Sequence, residues 1–137
     1  MNPAKYDFNT RLMLGGAALI LFAVALLHGF GYAEITGLAE LPRLRNPWRE
    51  GLRGIWLVHS VNLLIVATML AYAALRPRAF TGPVLVFCGL FPAIDALLLI
   101  AFVGGFIANV LLGLAAVLVF GAAARATTPL LSRSGQP

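Results

Sequence analysis

Four apolar stretches, residues 12–30, 55–75, 83–103 and 106–124, constrain this chain more than any other feature. Each approaches the 20 or so predominantly apolar residues that a helix needs to cross the hydrocarbon core of a bilayer. Backbone polar groups have no water to bond there, so a segment that crosses must satisfy them internally, as a helix does. The expected fold is therefore all-α: a polytopic membrane protein built as an antiparallel four-helix transmembrane bundle, with one long interfacial loop between the first and second helices. Composition agrees, since 61% of the 137 residues are hydrophobic, 11% are charged and the mean hydropathy is +0.91. Little length is left for a soluble domain. The expectation is a single transmembrane domain over 1–128 and a short polar tail over 129–137.

The breaks between spans have local causes. Pro77, in Arg76-Pro77-Arg78, disfavours helix at the residue before it, and Pro83 behind Thr81-Gly82 suits a first helical turn. Gly104-Gly105 interrupts an apolar stretch too long for one crossing and predicts a tight hairpin. Arg125, Thr127-Thr128 and Pro129 are expected to end the last helix. Lys5 and Arg11 ahead of the first run, with Gly31 and Ala33 as small residues behind it, also fit a cleaved signal peptide. The run is longer than a usual signal core, which favours a retained span.

Basic residues set the expected orientation. Lys5, Arg11, Arg76, Arg78, Arg125 and Arg133 share the side of the termini, against Arg43, Arg45, Arg49 and Arg53 on the other, so both termini are expected in the cytoplasm. The same residues explain the sequence pI near 10.4. They lie at helix ends and in one loop rather than on a continuous face, which points to lipid headgroups and away from nucleic acid. In that loop, Leu41, Leu44, Trp48 and Leu52 interleave with the four arginines, the pattern of a segment lying along the interface with Trp48 and Trp56 as aromatic anchors. The lone Cys88 excludes an intrachain disulfide, and no C-x-x-C suggests redox exchange or zinc.

Polar residues inside the spans are few and fall in one half of the bilayer. At 1.5 Å per residue from the span midpoints toward the long-loop side, His28 lies roughly 10 Å out, His59 about 7 Å, Asn62 and Asp95 about 3 Å, and Asn109 about 9 Å. Ionisable groups at membrane depth are costly and commonly face a bundle interior or a cavity. These five residues form the candidate ligand-binding layer. His59 and Asn62, three apart, share a helical face with Trp56 that should point inward.

Asp95 needs a partner or a proton, and His59 is the expected partner. Pro92, one turn earlier, frees a carbonyl beside it and can bend the helix to admit a ligand or water. As a catalytic pair, Asp95 would act as acid or base and His59 would tune it, in a cofactor-free isomerase, hydratase or cyclase acting on an apolar substrate. A structural Asp–His or Asp–Asn bond between helices is the competing explanation. His28 and His59 at similar depth can in principle ligate one haem iron, although no C-x-x-C-H attachment exists. A zinc or iron site from His28, His59, Asp95 and Glu34 lacks a recognisable ligand spacing. Gly105, Asn109, Gly113 and Gly121 fall at multiples of four, a ridge that lets a helix backbone approach, and Asn109 within it reads as an interhelical hydrogen bond. Phosphate-cradling loops, a nucleophile elbow and H-E-x-x-H are missing from the sequence.

Arg11-Leu12 leading into Gly15-Gly16, His28-Gly29 near the end of the first span, the polar loop and the glycine-rich final hairpin resemble the small four-helix bacterial membrane proteins grouped as DoxX-like. The resemblance implies a bacterial inner-membrane protein that serves as an accessory or quinone-linked subunit of a membrane oxidoreductase, or as an assembly factor. On the residues themselves, the expected function is binding of a lipid, a quinone or another apolar small molecule, or of a partner membrane subunit.

Overall fold

A computed structural model describes residues 7–39, 47–76 and 80–131. Its helices run α1 Phe8–Phe30, α2 Tyr32–Ala39, α3 Trp48–Leu75, α4 Gly82–Phe102 and α5 Ile107–Leu131. Among the described residues, α1, α3, α4 and α5 are long and apolar enough to cross a membrane. The chain is an all-α four-helix integral membrane protein. Large apolar side chains such as Leu19, Phe87, Leu97 and Val117 cover its outside, as a lipid solvent requires.

Helix α1 is the centre of the assembly. It packs against α3 on one side and α5 on the other, and α4 in turn packs on α5. Alanines make the close approaches: Ala17, Ala18 and Ala25 of α1 are buried with Ala67, Ala73 and Ala74 of α3 and with Ala115, Ala122 and Ala123 of α5. Small residues suit helix pairing in lipid because van der Waals contact between backbones replaces the hydrophobic drive available in water. Leu14, Leu21, Leu63, Leu70, Leu85 and Leu112 fill the spaces between and are wholly buried.

Two glycines carry the tightest contacts. A Cβ on Gly89 of α4 would stand 2.9 Å from the Phe120 ring and 3.2 Å from Val119, so that position holds α4 against α5. A Cβ on Gly121 would collide with the Met13 methyl of α1. The expected ridge along α5 is narrower than its spacing suggests, because added Cβ atoms at Gly105 and Gly113 meet nothing within 4 Å.

Three boundaries differ from expectation. Residues 32–39 and 48–54, read from the sequence as loop, are helical; 40–46 lie outside the described residues. Pro47 at the N-cap pre-sets the chain for α3, and Glu50 in its first turn complements the helix dipole and pairs with Arg53 at 3.0 Å. At the other end of the chain, α5 continues through Pro129 to Leu131. A proline removes one helical donor, yet its fixed φ is compatible with helix. The Gly104-Gly105 hairpin forms where expected: Gly104 takes φ 100°, a conformation that L side chains resist, and its N–H and that of Val103 both return to the Leu99 carbonyl.

Polar ties gather at the end where α1 begins and α5 ends. The Arg11 Nε donates to the Ala74 carbonyl at 2.8 Å, linking α1 to the end of α3. Asp7 caps α1 by accepting from the Thr10 N–H at 2.8 Å, and Arg125 of α5 reaches the same carboxylate at 3.3 Å.

Candidate functional site

The opposite end of the bundle is built differently. Because α3 leans on α1 and α4 leans on α5, the backbones of α3 and α4 make little contact, and a groove of about 590 Å³ runs between them. Its α3 wall carries Gly51, Gly54, Ile55, Val58, His59 and Asn62, which recur at three- and four-residue steps from Gly51 and so share one helical face. Its α4 wall carries Phe91, Ile94, Asp95 and Leu98 with the same period. Glycine at 51 and 54 leaves open space beside the backbone, since an added Cβ would meet nothing within 4 Å at either position. The exposed side chains of Ile55, Val58, Ile94 and Leu98 rim the groove, so it faces the surrounding lipid.

His59 and Asp95 close the groove at its inner side. The His59 Nε2 lies 3.2 Å from the Asp95 Oδ2, with the two side chains 25% and 17% exposed. The ring N–H is not aligned on that oxygen, so the pair has ion-pair distance without a directed hydrogen bond, and Oδ2 is left without a hydrogen-bond partner. A carboxylate with unused acceptor capacity at the edge of an apolar groove can receive a donor from a bound molecule. Pro92, one turn before Asp95, is fully buried within α4 and leaves the Cys88 carbonyl without its helical donor. Asn62 lines the same groove one turn from His59.

Behind His59 the rings continue inward. The His28 and His59 rings meet edge to face with centroids 4.6 Å apart, and the His28 ring stacks on Trp56 at 3.9 Å and 13°. Trp56 also donates its indole N–H to the His28 carbonyl at 2.8 Å, joining α3 to α1. Gly31 makes room for this arrangement, since a Cβ there would lie 3.1 Å from the Trp56 ring. His59 and Phe91 stack at 6.3 Å on the groove side. A row of rings, Trp56, His28, His59 and Phe91, thus leads from α1 to α4, with Asp95 beside it.

The five residues expected in the layer do not all gather. His28, His59 and Asp95 are in sequence, and Asn62 joins them along the groove wall. Asn109 is occupied elsewhere: its Nδ2 donates to the Gly104 carbonyl at 2.9 Å and its N–H to the Phe106 carbonyl at 3.0 Å, holding the hairpin turn. Trp56 turns inward onto His28, as the face it shares with His59 and Asn62 implies, while Trp48 is 73% exposed. Its spacing of three from His59 was the signal for this position. Gly31, Gly51 and Gly54 went unremarked as site residues because glycine inside an apolar chain has no chemical signature of its own.

Haem does not fit the histidine pair in this arrangement. An iron held axially by two imidazoles has its macrocycle between them, whereas these rings are in direct edge contact. Among the described residues, no three histidine, cysteine or carboxylate side chains gather closely enough to hold a metal ion. No protein-family model, curated protein or solved structure matches this chain.

Proposed function

We propose that this protein binds a membrane-dissolved amphiphile, a lipid or a quinone, in the groove between α3 and α4, with the polar head of the ligand against His59, Asn62 and Asp95. The observation that carries the reading is a groove opening toward lipid whose walls are apolar apart from those three side chains. Its volume of about 590 Å³ lies within the usual range for small-molecule sites. The Asp95 carboxylate in the groove wall supplies an acceptor for the head, and the exposed rim residues match an apolar body that arrives sideways from the bilayer. Binding of this kind suits an accessory or assembly subunit of a larger membrane complex. The DoxX-like layout and the six-to-four bias of basic residues extend the proposal to a bacterial inner membrane with both termini in the cytoplasm.

Native mass spectrometry of gently extracted protein tests the binding. Wild type should retain an amphiphile, and Gly54→Leu, which fills the groove from α3, should lose it. A bare wild-type chain without lipid or partner overturns the proposal.

A second reading has one specific observation in its favour: the Asp95–His59 pair adjoins an open cavity. In a cofactor-free isomerase, hydratase or cyclase, Asp95 would exchange a proton with an apolar substrate in the groove while His59 holds the carboxylate in place. Asp95→Asn would then retain the bound molecule and abolish its conversion. Unchanged turnover in that variant would remove Asp95 and its pair with His59 from the chemistry, and absence of any turnover in wild type would remove the enzymatic reading and leave binding intact.

A further inference from the structure

We infer, on the basis of the binding reading above, that the groove between α3 and α4 accepts amphiphiles with an uncharged head and excludes phospholipids. Depth is the first observation. On the observed helices, His59, Asn62 and Asp95 each lie within about 5 Å of the midpoint of their span. A hydrocarbon core about 30 Å thick puts its polar boundary roughly 10 Å farther out. A head that touches these side chains has therefore left the headgroup layer and stands in hydrocarbon, where a charge is costly.

Charge is the second. No Lys or Arg lines the groove, and its ionisable side chains, His59 and Asp95, face each other at 3.2 Å. One proton on either partner makes that pair neutral, as imidazolium with carboxylate or as imidazole with carboxylic acid, and the cost of a net charge at this depth favours such a state. Nothing is then left to neutralise a phosphate. A cationic head fares no better, because the carboxylate that could receive it already has His59 within ion-pair distance. Behind His59 lies a second cavity, about 400 Å³, among α1, α3 and the α4–α5 hairpin. Apart from His28 and His59 its lining holds no ionisable side chain, so no counter-charge reaches the groove from that side. An uncharged oxygenated head does find partners. Asn62 offers an amide that both donates and accepts, and the His59–Asp95 pair presents its accessible edge, 25% and 17% exposed, although the Asp95 Oδ2 itself is buried against His59.

Hexadecylglycerol, hexadecyl phosphate and hexadecyltrimethylammonium share one tail and differ in the charge of the head. Wild type is assembled into phosphatidylcholine bilayer discs with all three at equal low mole fraction and then extracted and purified. The probe it carries is counted by mass spectrometry of the denatured extract, relative to what the disc held. Hexadecylglycerol should be retained at least about tenfold over either charged probe. Gly54→Leu and Val58→Trp fill the groove from α3 at different heights, and each should lower hexadecylglycerol to the level of the charged probes; either suffices if the other fails to fold. Equal or greater retention of a charged probe, lost in those variants, overturns the uncharged-head class and leaves groove binding standing. Hexadecylglycerol that survives in both variants lies outside the groove and overturns the inference as well. If wild type retains none of the three, groove binding falls with it.

Discussion

The two ends of this bundle use the same helices for opposite purposes. Where α1 begins and α5 ends, α1, α3 and α5 lie close on buried alanines, and polar groups tie helix to helix: Arg11 to the Ala74 carbonyl, and Asp7, which also caps α1 through Thr10, to Arg125. At the other end α3 and α4 stand apart, and His59, Asp95 and His28 occupy the gap with bonding capacity unspent on Asp95 Oδ2 and His28 Nε2. Close packing in a membrane depends on small residues that let backbones meet. Large side chains and partly satisfied polar groups do the reverse and leave room for something else. One end is thus a clamp and the other a receptacle.

The comparison breaks if the ends respond alike to truncation. Leu70 is wholly buried on the clamp side, and Leu70→Ala should cost about 2–5 kcal/mol in denaturation from mixed micelles. Leu98, on the groove rim and half exposed, should cost no more than about 0.5 kcal/mol as Leu98→Ala. Similar losses at the two positions would mean that the groove is packed in the membrane.

Next in size is the seam between α3 and α4. Asp95→Ala leaves His59 without its carboxylate and should destabilise by about 1–3 kcal/mol, with Asp95→Asn retaining most of the stability. If Asp95→Ala melts with wild type, the pair does not hold the seam, and a binding or chemical role, or none, is what remains for it. Trp56→Phe tests the link between α1 and α3 above it. A smaller aromatic ring remains, while the hydrogen bond to the His28 carbonyl and part of the stacking on His28 are lost, so at least about 0.5–1.5 kcal/mol should be lost, read in the same denaturation assay.

The smallest effect belongs to the exposed tie at the clamp. Hydrogen bonds from Thr10, together with the nearby Arg125, hold the Asp7 carboxyl below its ordinary 3.8. A carboxyl with a lowered folded value stabilises the fold above the unfolded value and loses that contribution as pH falls through the folded one. The margin of wild type over Asp7→Asn should therefore be constant at neutral pH and vanish below 3.8 in an acid titration. Added salt should shrink the Arg125 part of it. A margin that grows with acid would contradict this assignment.

Much of the clamp was visible along the chain, since Pro83 and the basic residues at span ends mark boundaries by local chemistry, as Gly104 does for the hairpin at the other end. The receptacle was legible only in part. Spacing along a single helix put His59, Asn62 and Trp56 on one face, and depth put Asp95 level with them. Asn109 shares that depth, yet its amide serves the hairpin, because a neighbouring Gly104 carbonyl competes for it within the same turn. Nothing in the helical period distinguished the α3–α4 seam from the α1–α3 seam. In a soluble bundle the polar face would have marked the outside, but here inward and outward faces are both apolar.

The sequence by itself determined that four helices cross a membrane, roughly where each begins and ends, and which few polar side chains must share a depth. Hydrocarbon forces those outcomes on any chain of this hydropathy, whatever its neighbours. Only the tertiary structure decided that α1 sits between α3 and α5, that Gly89 seats α4 on α5, and that α3 and α4 part to leave a groove on one side of His59 and a cavity on the other. Those choices depend on how alanine, glycine and leucine surfaces fit in three dimensions, a property of helix pairs that no single helix carries.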